Sequence, residues 1–192
     1  HDHPIAPNLL ERNFTAEKPN QVWTSDLTYI RSAIGWLYLV VFLDLFSRAV
    51  VGWKVSTSLR AAFVVETFVR AAKCRRIAPG LLVHSDRGVQ YCCGDFRDVI
   101  TAYAASQSMS RKGDCWDNAV TESFFSTLKK EMPAGLVFKD QAAAERYLFE
   151  YIEVEYNHQR LHSTLGYRAP MEYEAQMAAV QPAATRCDEV LC

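Results

Sequence analysis

The sequence has no long hydrophobic run, and we therefore do not expect an integral membrane protein. Its longest apolar stretch is Trp36 to Leu43, whereas a helix that crosses a bilayer needs about 20 apolar residues. No basic segment followed by an apolar one stands at the N-terminus, so no secretory signal is predicted. Apolar residues make up 49% and charged residues 22% of the chain, values that indicate neither disorder nor a fibrous repeat.

A large charge of one sign is also missing. The net charge is −1, from 21 Lys+Arg against 22 Asp+Glu, whereas a protein that coats nucleic acid would be strongly basic. A nucleic-acid enzyme remains open, because a metal site uses carboxylates whose charge the bound cations neutralise. The six cysteines include no pair with CxxC spacing, and we expect reduced thiols in a cytoplasmic protein that binds no zinc.

The apolar patterns predict one domain with the element order β-β-β-α-β-α-β-α-α. We expect an extended lead-in at 1–20, a core at 21–156, and a C-terminal motif with a weakly patterned tail at 157–192. Strands are predicted at Val22–Ile30, Trp36–Leu43, Ala49–Val55, Leu81–His84 and Ser106–Ser110. Helices are predicted from Arg60 to before Pro79 and at Phe96–Ala104, Asn118–Glu131 and Ala142–Tyr156. Three antiparallel strands followed by α/β units predict a mixed sheet with helices on both faces.

Three carboxylates stand out by their context. Asp26 lies inside a predicted strand, where a buried charge needs a compensating partner; the alternative is an edge-strand aspartate that faces water. Asp86 follows a predicted central strand, at the end where α/β sheets place their sites; the alternative is a turn residue before Gly88. Glu122 lies on a predicted helix, where an ordinary solvated glutamate is the alternative.

The predicted helix that carries Glu122 has two different faces. At 100° per residue, one face is apolar and the opposite face is polar. The apolar face consists of Val120, Phe124 and Leu128, and the polar one of Asn118, Glu122, Ser126 and Lys129. A face with a carboxylate, an amide and a lysine is unusual for packing, and it suits a metal held beside a phosphate.

The spacing of the three acids and the segments around them carry a family resemblance. Asp26 is separated from Asp86 by 59 residues, and Asp86 from Glu122 by 35. The surrounding segments are Trp23–Tyr29, Tyr38–Arg48, Val51–Trp53, His84–Tyr91, Ser108–Gly113, Asp117–Lys129 and Tyr156–Pro170. Together they resemble DDE transposases and retroviral integrases. Among these, the bacterial insertion-sequence transposases with an integrase core are the nearest match, specifically the second reading frame of two-frame elements.

This resemblance implies a ribonuclease-H-like fold and a metal-dependent DNA enzyme. It implies two divalent ions, Mg²⁺ or Mn²⁺, held by Asp26, Asp86 and Glu122. Oxygen ligands suit Mg²⁺, and two ions support an in-line displacement at phosphorus. In such families water first cuts the element's strand, and the freed 3′-hydroxyl then attacks another phosphodiester. The alternatives are a nuclease of the same fold that does not join strands and an inactive DNA-binding remnant.

The resemblance also implies partners and a location. We expect double-stranded DNA, both element ends and target, and self-association in the active complex. The family's upstream helix-turn-helix region is missing from this sequence, as is the His-His-Cys-Cys zinc module of retroviral integrases. We expect no membrane partner and a place in the bacterial cytoplasm, at the nucleoid.

Two groups of residues are further candidates for the site. Expected phosphate contacts are Arg111, Lys112, Asn118 and Lys129, with ordinary solvated surface as the alternative. Expected supporting residues are His84, Gln90, Arg160 and His162. A satisfied core histidine is an equal interpretation for His84, and packing against the core is an equal one for Arg160 and His162. Asp44, the remaining rival carboxylate, is interpreted as a turn residue.

Overall fold

A mixed five-stranded sheet in the order β3-β2-β1-β4-β5 forms the centre of the protein. The structure is a computed structural model that describes residues 4–111 and 115–180. The strands are β1 (Val22–Ser32), β2 (Gly35–Asp44), β3 (Val50–Ser56), β4 (Leu82–Ser85) and β5 (Ser106–Met109). The first three pair antiparallel, β4 runs parallel to β1, and β5 runs parallel to β4. The predicted antiparallel strands followed by α/β units are confirmed.

Helices cover both faces of this sheet. One face carries α1 (Ala61–Arg75), α2 (Val89–Cys92) and α3 (Gly94–Ala102). The other carries α4 (Ala119–Glu131), which a 3₁₀ turn (Cys115–Asn118) precedes, and α5 (Gln141–Phe149), which continues as a π-helix (Glu150–Tyr156). A short 3₁₀ turn (Ser163–Leu165) and α6 (Pro170–Val180) follow. Within the described ranges, no helix has the length and apolar character needed to cross a membrane.

The apolar run of β2 follows from its position between two helical layers. Alternate residues of a strand point to opposite faces, and in β2 both sets are buried. The set on the α4 face is Leu37, Leu39, Val41 and Leu43, and the set on the α1 face includes Val40 and Phe42. The sequence is therefore apolar at consecutive positions, as a strand covered on both sides requires.

Three elements differ from the prediction. Helix α2 has four residues, too few to show a helical period. The single helix expected at Ala142–Tyr156 becomes π-helical from Glu150, and this wider winding accompanies a specific contact just beyond it. There the Asn157 side chain accepts a hydrogen bond from the Val50 N–H at 2.9 Å and donates one to the Val50 carbonyl at 3.0 Å.

The third difference is α6, where the expected tail begins instead as a helix with proline at its first position, as helix starts allow. Tyr173 of α6 packs on Phe46, with ring centroids 5.3 Å apart, and Glu174 forms an ion pair with Arg75. At the other end of the chain, Leu10 is buried in the core under α4. Contacts therefore cross the expected boundaries at 20 and 156, and the division of the chain there stays a prediction.

Close packing between β3 and α1 gives a first test, at Gly52. A Cβ built on Gly52 would lie 2.6 Å from the Ala71 Cβ, so a side chain there forces the helix away from the sheet. We expect Gly52→Ala to lower the free energy of unfolding by about 1–3 kcal/mol, the usual cost of overpacking, as measured by urea denaturation. Gly94→Ala is the control, because nothing lies within 4 Å of a Cβ there. Equal denaturation midpoints for Gly52→Ala and the parent protein would contradict the close approach.

Candidate active site

Asp26 and Asp86 lie side by side, Asp26 within β1 and Asp86 directly after the parallel strand β4. The register of β1 and β4 pairs Ser25 with Ser85, so Asp26 and Asp86 come next at the same level. Neighbouring strands lie about 4.8 Å apart, so the two carboxylates lie close together. Asp86 directly follows β4, at the carboxyl end where α/β sheets place their sites.

Glu122 approaches this aspartate pair from helix α4, which packs over β1. The Thr121 hydroxyl of α4 donates a hydrogen bond to the Thr24 hydroxyl of β1 at 2.7 Å. Thr24 and Asp26 are two residues apart and share a face of the strand, so Asp26 points to the layer that contains α4. Glu122, the neighbour of Thr121, is exposed at this junction.

The electrostatics show that these side chains act on one another. Burial raises the pKa of Asp26 to about 7, and the hydrogen bond from the Leu27 backbone N–H opposes this rise. The negative charges of Asp86 and Glu122 raise the pKa further, and the positive charge of Lys129 lowers it. Two carboxylates and one ammonium group therefore surround Asp26 closely enough to change its affinity for a proton.

The three carboxylates do not form a closed metal site by themselves. Across residues 4–111 and 115–180, no three His, Cys, Asp or Glu side chains are grouped closely enough to hold an ion. One oxygen of Asp86 accepts the Gly88 N–H at 2.9 Å, and one of Asp26 accepts the Leu27 N–H at 2.7 Å. The donor set is all oxygen, which fits Mg²⁺, an ion that binds through one or two carboxylates with substrate phosphate and water.

Tyr91, to which no sequence pattern assigns a role, contacts Ser25, the residue before Asp26. The Ser25 hydroxyl donates to the Val41 carbonyl at 2.8 Å, so the Tyr91 hydroxyl, 2.8 Å away, donates to Ser25. Tyr91 is fully buried, and burial raises its pKa well above the ordinary value, with the charges of Asp26 and Asp86 adding to the rise. This chain of hydroxyls ties α2 to β1 and β2 next to Asp26.

His84 is a buried residue with a structural partner. The Ser108 hydroxyl accepts hydrogen bonds from the backbone N–H groups of Leu9 and Leu10, so its own proton points to His84 Nδ1, 2.8 Å away. Burial lowers the pKa of His84 to about 4, and nearby Asp117 opposes this. The ring ties β4 to β5 and the lead-in through Nδ1, as a core histidine does, but its buried Nε2 has no hydrogen-bond partner among the described residues.

Asp117 joins the start of the α4 segment to the distant lead-in and to nearby Arg111, and no local sequence pattern indicates this. Its side chain is fully buried and accepts hydrogen bonds from Arg111, Arg12 and Asn8 at 2.9–3.1 Å. The Arg111 guanidinium and the other donors hold the pKa of Asp117 well below its usual range. Arg111, an expected phosphate contact, is thus bound to a carboxylate of its own chain.

The expected polar face of α4 needs one correction. Asn118 is only 4% exposed, and its side-chain amide donates to the Ser25 carbonyl at 3.4 Å, so it does not share the solvent-facing side of Glu122 and Lys129. The physical reason is that Asn118 belongs to the 3₁₀ turn before the helix, where the 100° period does not apply. Lys129 is exposed, and Lys112 lies outside the described residues.

The remaining candidates have other partners. Gln90 donates to the Leu59 carbonyl at 3.2 Å, which ties α2 to the segment before α1. Arg160 forms an ion pair with Glu131 at the end of α4, and His162 lines the same cavity as Arg160. Asp44 accepts the Phe46 N–H at 3.0 Å, as a turn residue does.

The raised pKa of Asp26 predicts a pH dependence of stability in metal-free protein. The unfolded chain loses this proton near pH 4, whereas the folded chain keeps it up to about pH 7. The folded state binds more protons in this window, so the free energy of unfolding falls as pH rises from about 4 to about 7. We expect Asp26→Asn to be more stable at pH 7 and to lose this part of the slope.

Urea denaturation at several pH values measures that effect. Asp44, whose pKa burial raises to about 6, contributes a similar slope to both proteins and leaves the difference intact. Asp98→Asn, at an exposed position of α3, is the matched control and should keep the parent's slope. Identical pH profiles for Asp26→Asn and the parent would contradict the assigned titration.

The fold and the position of the three carboxylates define a class of protein. The structure is similar to the simian T-cell lymphotropic virus intasome in complex with PP2A regulatory subunit B56 gamma, with a TM-score of 0.67, 16% identity, and coverage of 91% of this chain and 59% of that one. It is also similar to the HTLV-2 integrase catalytic core domain in complex with magnesium, with a TM-score of 0.60 and 16% identity. That match covers 83% of this chain and 99% of the HTLV-2 chain. The fold is therefore the ribonuclease-H-like fold of integrase catalytic cores.

The sequence comparison places the chain in a family. The family model described as Integrase core domain matches residues 16–115, and a second one with the same description matches residues 122–177. The protein belongs to the integrase core domain family.

Two curated relatives have the same level of identity. The transposase for insertion sequence element IS904 of Lactococcus lactis subsp. lactis (strain IL1403) is 42% identical over 168 residues, 88% of this chain and 66% of that protein. Transposase InsF for insertion sequence IS3fB of Escherichia coli (strain K12) is 42% identical over 179 residues, which are 93% of this chain and 62% of that protein. The chain thus spans less than two thirds of the length of these relatives.

Proposed function

We propose that this chain is the catalytic core of a DDE-type insertion-sequence transposase. It uses water to cleave a phosphodiester bond at the element's end in a metal-dependent reaction. The freed 3′-hydroxyl then attacks a phosphodiester of a second DNA strand, and the 3′-oxygen of that strand leaves. The observation that carries the proposal is the juxtaposition of Asp26 and Asp86 on parallel strands, with Glu122 of α4 acting on Asp26. The two transposases that are 42% identical to the chain support the same reaction class.

The residues proposed to hold the metal are Asp26, Asp86 and Glu122. Their all-oxygen donor set suits Mg²⁺ or Mn²⁺, and the related HTLV-2 core was solved with magnesium. When bound, two such ions supply activation of the attacking oxygen and stabilisation of the leaving one. Asp26 must lose its proton before it binds a cation, and its raised pKa makes this loss depend on pH near neutrality.

The proposed substrate is double-stranded DNA, both element ends and target. Lys129 is exposed on the same helix as Glu122, and its charge acts on Asp26, so it is placed to contact a phosphate next to the carboxylates. We further propose that copies of the protein associate on DNA, and that the reaction takes place in the bacterial cytoplasm, at the nucleoid.

A joining assay tests this function. The chain is incubated with a labelled duplex of its element end and a supercoiled target plasmid, in Mg²⁺, in Mn²⁺ and in EDTA. We expect a nicked product first and a larger joined product later, both dependent on the metal. Nicking without joining would favour the nuclease of the same fold, and DNA binding with neither product would favour the inactive remnant.

A further inference from the structure

A cavity of about 440 Å³ lies beside α4, and Asp26, Asp86 and Glu122 do not line it. The lead-in, the turn after β2 and the segment after the π-helix close around it. Its polar lining includes Arg48, Ser123, Thr127, Arg160, His162 and Thr164. These residues come from three separate parts of the sequence, and two of the six are arginines.

Arg48 brings a buried guanidinium to this cavity. Its Nη2 donates to the Phe14 carbonyl at 3.1 Å, but its Nη1 is buried and has no hydrogen-bond partner among the described residues. Burial lowers the pKa of Arg48, and the interactions with Tyr156 and Asp44 oppose this fall only in part, as expected for a desolvated cation. An unpaired buried donor is costly, so an acceptor from outside the chain would stabilise it.

His162 presents a second unsatisfied atom to the same space. Its Nε2 is buried and has no partner within the described part of the chain, and its ring packs edge-on against Tyr156 with centroids 5.1 Å apart. Burial lowers its pKa to about 4, and the charges of Arg160 and Arg48 lower it further while Glu131 opposes them. Two arginines thus act on His162 against one carboxylate.

The charge and shape of the cavity fit a phosphate group. Glu131 pairs with Arg160, whereas the Arg48 Nη1 has no hydrogen-bond partner among the described residues. A tetrahedral anion with several acceptor oxygens is a strong partner for arginine, and it also satisfies an imidazole N–H and the hydroxyl groups of Ser123 and Thr127. Ser123 directly follows Glu122, so this cavity and the carboxylate lie on neighbouring flanks of α4.

We propose that this cavity binds a backbone phosphate of DNA through Arg48, Arg160 and His162, next to the strand that reaches the carboxylates. The inference rests on the proposed function in one respect, because that function supplies DNA as the source of the phosphate. The cavity anchors the duplex along α4, and Asp26, Asp86 and Glu122 act on a different phosphodiester.

The first test follows His162 directly by NMR, with ¹⁵N-labelled histidine in metal-free buffer. Inorganic phosphate and a short random-sequence duplex are titrated separately, and each is expected to shift the His162 Nε2 resonance. Phosphate should also compete with the duplex for this shift. A shift with inorganic phosphate but none with DNA would identify a small-anion site and overturn the inference, as would no shift with either probe.

The second test uses two substitutions at one ion pair. Arg160→Gln removes a cation and should weaken DNA binding about tenfold, with the slope of log K against log salt reduced by about 1. Glu131→Gln removes the competing carboxylate and should tighten binding by a similar factor. Both lose the same ion pair, so a loss of stability cannot produce opposite signs. Arg146→Gln, an exposed arginine of α5 that lines a different cavity, should bind like the parent.

Binding is measured by fluorescence anisotropy without divalent metal, which separates this inference from catalysis. Suppose that joining fails in the assay above while Arg160→Gln and Glu131→Gln shift DNA binding in opposite directions. That result supports phosphate binding in the cavity and contradicts the transposase proposal. If the parent nicks and joins DNA while both variants bind as the parent does, the cavity inference falls alone.

Discussion

Asp26→Asn, Asp86→Asn and Glu122→Gln are each expected to reduce strand cleavage and joining by about 10³-fold or more, the upper end of what one preorganised electrostatic group contributes. The amide side chains keep the shape but lose the charge that holds a divalent cation. Loss of one charge also relieves repulsion in metal-free protein, so the fold should persist. The measurement is the rate of nicked and joined product formation in Mg²⁺ and Mn²⁺, with circular dichroism of each variant.

Asp98→Asn on α3 is the matched control, since it removes an exposed carboxylate from a helix on the opposite face of the sheet. It should cleave and join DNA at the parent's rate. Wild-type joining by any of the three site variants would contradict the assignment of that residue. A loss of joining with normal nicking would restrict its role to strand transfer.

Asp117→Ala is expected to lower the free energy of unfolding by about 2–3 kcal/mol. Breaking a buried ion pair costs about 3–5 kcal/mol, and the half-exposed side chains of Arg12 and Arg111 regain part of this from water. The same change should slow cleavage, because Asp117 holds the turn that leads into α4, the helix that carries Glu122. Urea denaturation and the nicking rate, measured on one preparation, give both effects.

A double-mutant cycle isolates the pairing of Asp117 with Arg12. Arg12→Gln alone should cost less than Asp117→Ala, since Arg111 and Asn8 still donate to the carboxylate. The two changes should be strongly non-additive. The lowered pKa of Asp117 means that its stabilisation exists above pH 4 and is lost as the pH falls further. Two outcomes would contradict the role of Asp117 in positioning α4. One is additive effects of the two changes, and the other is a nicking rate of Asp117→Ala that equals the parent's after correction for the unfolded fraction.

The secondary structure was largely predictable because its signals are local. The continuous apolar run of β2 indicates a strand covered on both faces, and α1 shows its period in Phe63, Val64 and Phe68. Helix α2 and the π-helix were not predictable. The first is too short for a period, and no local pattern distinguishes the second from the α-helix before it. The π-helix ends next to Asn157, which pairs with Val50, 107 residues away in sequence.

The sequence by itself determined the mixed sheet through its apolar patterns, and the integrase core family and the three candidate carboxylates through the acid spacing and the flanking motifs. This was possible because a strand that ends just before Asp86 and a helix that carries Glu122 are each encoded by neighbouring residues. Only the tertiary structure decided that Asn118 is buried and that Asp117 joins Asn8 and Arg12 to α4. It also decided that Arg48, Arg160 and His162 share one cavity. Such burial and pairing depend on residues from distant segments, and no local pattern in the sequence reports them.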